Sequence, residues 1–175
     1  RWIGGANIAR QLFENRIDVI LGGGASYFGA DKQNGEDLIT KFKKAGYGIT
    51  TTKEELSSIN KTEKLLGLFH PTYMNFKLDK EVLHSQEPSL PEMTSKAIDI
   101  LSQGDKGFFL MAEGARIDHM EHAADITGIW KETIEFDQTV KEVVNWAKNR
   151  NDTLIVVLAD HETMGTSASE TMDIP

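Results

Sequence analysis

Six consecutive apolar residues, Leu154-Ile155-Val156-Val157-Leu158-Ala159, stand between polar neighbours. The run is too short to cross a membrane, which takes roughly 20 residues, and too uniformly apolar for a strand with one wet face. A parallel strand covered on both sides is the setting such a run requires. Gly107-Phe108-Phe109-Leu110-Met111, Ile17-Asp18-Val19-Ile20-Leu21 and Leu65-Leu66-Gly67-Leu68-Phe69 read in the same way.

Helical periodicity fills the intervals between these runs. Ile8, Ala9, Leu12 and Phe13 share a face within 3–13, and Leu38, Phe42 and Ala45 within 36–45, where Gly46 suits a left-handed cap. Residues 47–51 read as a short strand. Thr52 with Glu55 and Ser89 with Glu92 have the spacing of capping boxes that open helices, the second carrying Met93, Ala97, Ile100 and Leu101 as far as Gly104. The longest helix is predicted over 126–148, with Ile126, Trp130, Ile134, Val140, Val144 and Ala147 along one apolar stripe. Strands alternating with helices imply an α/β fold, a mostly parallel sheet with helices on both faces. Residues 70–91, with prolines and mixed charge, read as an irregular excursion.

The 175 residues suffice for one domain, and 27 acidic against 19 basic residues give a net charge of -8 with no basic stripe. Nucleic acid is therefore not an expected partner, no membrane span is expected, and the chain reads as soluble. Cysteine is absent, so any metal must sit on oxygen and imidazole ligands.

Chemistry-bearing side chains collect behind two of the apolar runs. Asp118 and His122 are four residues apart, so that if the chain turns helical there both lie on one face and suit zinc. Glu113 comes five residues before Asp118 and suits a harder, oxygen-loving ion such as magnesium. Asp160 and His161 are adjacent at the end of the last run. Taken alone, Asp160-His161 reads better as a loop carboxylate bound to a backbone amide, and Asp118 with His122 better as a surface helix pair. Their joint placement at the ends of two strands of one βαβ unit favours metal binding. Gly22-Gly23-Gly24 lacks the spacing of a phosphate-binding loop and reads as a tight strand exit. His70 and His84 read as exposed histidines without a ligand partner, and the Trp and Phe residues as core.

The stretches 107–118, 122–124 and 153–161, with 17–24, 65–69 and 91–98, resemble the alkaline phosphatase family over nearly the whole chain. The resemblance implies an alkaline-phosphatase-like fold, here incomplete, and a metal-dependent phosphomonoester hydrolase. It assigns magnesium to Glu113, one zinc to Asp118 and His122, and a second zinc to Asp160 and His161. It puts His119 beside the phosphate pocket or in the shell behind it, and Thr163 where several relatives carry histidine. The family's serine nucleophile, the aspartate bridging zinc and magnesium, the phosphate-binding arginine and the last zinc histidine are not matched here. Ser26, Ser167 and Ser169 lack the nucleophile's setting.

The expectation is thus a single partial domain over 1–175, an internal piece of a longer phosphatase, inactive alone. The resemblance further implies a phosphomonoester substrate, an exported, periplasmic or secreted parent, and a homodimer. Other readings are a superfamily relative (a sulfatase, a phosphodiesterase or a cofactor-independent phosphoglycerate mutase) and a non-catalytic metal-binding or interaction module.

Overall fold

A computed structural model describes residues 4–165, so Ser167 and Ser169 lie outside the described residues. Seven α-helices and three strands are present among them. The order is α1 (Gly5–Glu14), β1 (Val19–Gly22), α2 (Leu38–Lys44), β2 (Gly48–Thr50), α3 (Lys53–Ser58), β3 (Leu65–Leu68), α4 (Lys77–Val82), α5 (Leu90–Leu101), α6 (Arg116–His122) and α7 (Ile126–Ala147).

The strands form one parallel sheet in the order β1-β3-β2, with Val19 and Gly48 both in register with Leu65. The central strand β3 is buried at all four positions, as its unbroken apolar sequence requires. Its side chains alternate between two cores. Leu66 and Leu68 join Ala9, Phe28, Leu38, Phe42 and Tyr47. Leu65 joins Leu56, Phe69, Met93 and Ile100 on the other side. Helices thus cover both faces, and the expected α/β layering holds for this sheet. Phe42 is the centre of the first core, meeting Phe13 at 5.0 Å and Tyr47 at 4.7 Å edge to face.

Local signals explain where the helices start and stop. Ser89 and Glu92 form the reciprocal capping box at the head of α5. At α3 the Thr52 hydroxyl accepts from Glu55 N–H, but the Glu55 carboxylate reaches past the cap to Thr51 N at 2.6 Å. Gly46 takes φ +89° just after α2, as a left-handed cap demands.

Four expectations need correction. The stretch 70–91 is not wholly irregular: it contains α4. It is also fastened: Asn75 donates from N and Nδ2 to the Glu87 carboxylate at 2.8 Å each, and Lys77 N donates to Glu132 Oε1 of α7 at 2.6 Å. The runs 107–111 and 154–159 are not strands of the sheet; no backbone ladder pairs them among the described residues, and Phe109 is 90% and Leu154 86% exposed. A buried strand needs a neighbour on at least one edge and a layer on each face, and the described residues supply neither. Finally, the predicted apolar stripe of α7 faces outward at Ile126, Trp130, Ile134 and Val144. Its buried positions are Gly128, Glu132, Glu135 and Thr139, which face the neighbouring helices α4, α5 and α6. An apolar helix stripe is made to lie on a sheet, and the strands that would receive it are unpaired. Phe108 does meet α7, at Trp146 with ring centroids 5.8 Å apart, but on the Thr139 side of the helix, away from the stripe. The expectation that every Trp and Phe is core fails at Phe109 and Trp130 for the same reason.

Candidate functional site

The candidate ligands sit on α6 and on the chain leaving 154–159. α6 packs closely against α7: the Met120 side chain lies over Gly128, where a Cβ would force it to move. Asp125 caps α7 by accepting from Gly128 N at 3.0 Å, and Ala124 makes the turn between the helices at φ 53°. This junction sets the direction of α6.

Asp118 and His122, one helical turn apart, bring Oδ1 and Nε2 to 3.5 Å. Asp160 and His161 bring Oδ2 and Nε2 to 3.2 Å, while Asp160 Oδ1 accepts from His161 N at 3.1 Å. That last bond is the loop carboxylate on a backbone amide that the sequence also allowed. The two pairs meet through Thr163, whose hydroxyl donates to Asp118 Oδ1 at 2.7 Å and lies 3.3 Å from His161 Nδ1. The Thr163 hydrogen bond holds the Asp118 carboxyl below the usual aspartate range, helped by the imidazoles of His122, His161 and His119.

Glu113 is exposed and is not brought into this cluster by any hydrogen bond or ion pair among the described residues. His119 points elsewhere: its Nδ1 lies 3.0 Å from Arg116 Nη1 and its ring packs edge to face on Tyr73. His84 is exposed, and half-buried His70 accepts from Thr72 N at 3.2 Å. Gly24 N donates to Thr72 O at 2.6 Å, consistent with a strand exit against the excursion.

The donor chemistry fits zinc at both pairs, one carboxylate oxygen and one imidazole nitrogen each, and fits an oxygen-seeking ion at Glu113. In number the set is short: among the described residues no three His, Asp or Glu side chains gather closely enough to hold one ion. Each pair offers two of the four donors a zinc takes. Sequence reasoning missed Arg116 and Tyr73, which meet His119, and Phe76, which lies under the Arg116 guanidinium. The one signal for Arg116 was its position three residues before His119 on the same helix face.

No helix among the described residues is long and apolar enough to cross a membrane. The family model for alkaline phosphatase matches residues 3–173. Alkaline phosphatase 4 of Bacillus subtilis is 43% identical over 87% of this chain and 32% of its own length. The alkaline phosphatase of Escherichia coli is 35% identical over 90% of this chain and 39% of its own. The crystal structure of Thermus thermophilus alkaline phosphatase superposes with a TM-score of 0.79 at 31% identity, covering 83% of this chain and 31% of that one. A mutant of TAB5 alkaline phosphatase with magnesium bound superposes with a TM-score of 0.67 at 26% identity, covering 82% and 40%. The chain thus spans only 32% to 39% of the length of these two curated relatives. Matched along almost all of its residues and sharing the helix-covered parallel sheet, it belongs to the alkaline phosphatase family.

Proposed function

We propose that this chain supplies the metal-binding side of a phosphomonoester hydrolase. The serine nucleophile, phosphate-binding arginine and last zinc histidine then come from the rest of a longer protein. The observation that carries the reading is the Thr163 to Asp118 hydrogen bond, which draws together two Asp-His pairs distant in sequence. Asp118 and His122 would hold one zinc, Asp160 and His161 a second, and Glu113 magnesium. When bound, these ions supply positive charge for the phosphoryl oxygens and the leaving group. Thr163 orients the Asp118 carboxylate and favours its ionised, ligating form, as partners behind a metal ligand do. His119, turned toward Arg116 and Tyr73, would serve beside the phosphate or in the shell behind it. An exported homodimeric parent accords with the family.

Two donors per zinc and no nucleophile leave the 175-residue chain without turnover of its own. In the full-length protein, Asp160→Ala should abolish hydrolysis of p-nitrophenyl phosphate and lower the zinc content measured by atomic emission. Unchanged zinc and turnover overturn the ligand assignment. Chelator-sensitive turnover by the isolated chain overturns the division of labour.

A further inference from the structure

We propose that Arg116 and Tyr73 are positioning residues for His119, fixing the tautomer and the orientation of its imidazole. The inference rests on the phosphatase reading for its catalytic consequence but not for its geometry.

Arg116 opens α6 and lies over two rings of the excursion. Its guanidinium carbon is 3.5 Å from the Phe76 ring centroid and 5.6 Å from that of Tyr73. A planar, delocalised cation stacks on aromatic faces and keeps its N–H fork in a fixed plane. Nη1 of that fork lies 3.0 Å from His119 Nδ1, while Nε is buried with no hydrogen-bond partner among the described residues. The guanidinium thus forgoes a hydrogen bond at Nε while it holds the stack and the His119 contact.

The chemistry of the pair settles the imidazole. Arginine can only donate, so Nδ1 must present its lone pair, and the single proton of the neutral ring then resides on Nε2. Left to itself a histidine samples both tautomers. Tyr73 restrains the second degree of freedom: its ring meets His119 edge to face, centroids 4.8 Å apart and planes at 65°. Tyr73 is itself 66% exposed, so core packing does not account for its place. Both aromatic residues precede α4 on the excursion, and Lys77 N, next to Phe76, is tied to Glu132 of α7. The excursion thereby reaches His119 through the stacked arginine and through Tyr73 itself. A histidine held in this form offers an Nε2–H donor to an anionic oxygen without rearrangement, the preorganisation that a phosphoryl group rewards.

The test uses the full-length protein labelled with 15N-histidine and long-range 1H–15N correlation, with the His119 signals assigned by their loss in His119→Gln. The expected spectrum has Nε2 protonated and Nδ1 bare. Arg116→Met should move the Nδ1 signal toward the tautomer average, and Arg116→Lys should restore part of the shift. With p-nitrophenyl phosphate, Arg116→Met should raise KM about tenfold, the scale of one charge-assisted hydrogen bond, with a smaller change in kcat. Tyr73→Leu, at an exposed position, should shift the His119 ring protons at unchanged melting temperature. It decides the case if Arg116→Met fails to fold. A protonated Nδ1 in the wild type, or signals unmoved by both substitutions, overturns the proposal. Absence of turnover by the zinc-loaded wild type overturns the phosphatase reading instead and leaves the tautomer result to decide on Arg116.

Discussion

β3 and residues 154–159 are nearly the same kind of sequence with opposite fates. Leu65 and Leu66 are fully buried, with β1 and β2 hydrogen-bonded on either edge and a core on each face. Leu154 and Leu158, in a longer apolar run, are 86% and 70% exposed. The difference lies in the partners. A strand is stabilised by what flanks and covers it, and β3 finds both within about 50 residues of chain on either side. Residues 107–111 and 154–159 find neither among the described residues. α7 records the same contrast within one helix, its polar inner face seated on α4, α5 and α6 and its apolar stripe bare.

This contrast can be measured. Phe42→Ala, in the completed core, should cost about 3–5 kcal/mol in urea unfolding of the 175-residue chain. A cost below about 1 kcal/mol would mean that the sheet unit is not packed in solution. Ser89→Ala removes one arm of the capping box of α5, the helix against both β1 and α7, and should cost about 1 kcal/mol. No change would show that α5 is held by packing alone.

Smaller in expectation is an effect visible only as a slope against pH. Glu132 is 6% exposed, and burial raises its carboxyl above 4.5, with nearby Glu135 adding to the effect and the Lys77 N–H, Lys80 and Arg116 opposing it. An acid whose folded-state value is raised binds more protons folded than unfolded. Its stabilising contribution is then complete below the unfolded value and is lost as pH rises through the folded one. Glu132→Gln keeps a carbonyl oxygen for Lys77 N and should flatten that decline upward from about pH 4.5; parallel stability curves for the two proteins would rule this out. Smallest in the isolated chain is Leu158→Ala, expected within about 0.5 kcal/mol, as for a surface position, against about 2–5 kcal/mol where the full-length protein covers the run. Equal costs in both would show that the run is already buried in the shorter chain.

Within the candidate site, the geometry of each pair was legible because its spacing is local. Asp118 and His122 meet because a helix brings every fourth residue to one face, and Asp160 and His161 because they are neighbours. That the two pairs touch was not legible. The link is Thr163, and a hydroxyl that hydrogen-bonds across 45 residues carries no mark in the sequence. The same holds for Gln33, fully buried, which donates to Ala6 O and Tyr27 O and accepts from Arg10.

By itself the sequence determined most of the helices, α4 excepted, with the caps of α3 and α5, the apolar runs and the residue types able to bind metal, since each depends on neighbours within a few positions. Tertiary structure alone decided which apolar runs became strands, which face of α7 was buried, and that Arg116 and Tyr73 converge on His119. Those outcomes depend on distant segments meeting, and the free energy of a buried surface is realised only when something covers it.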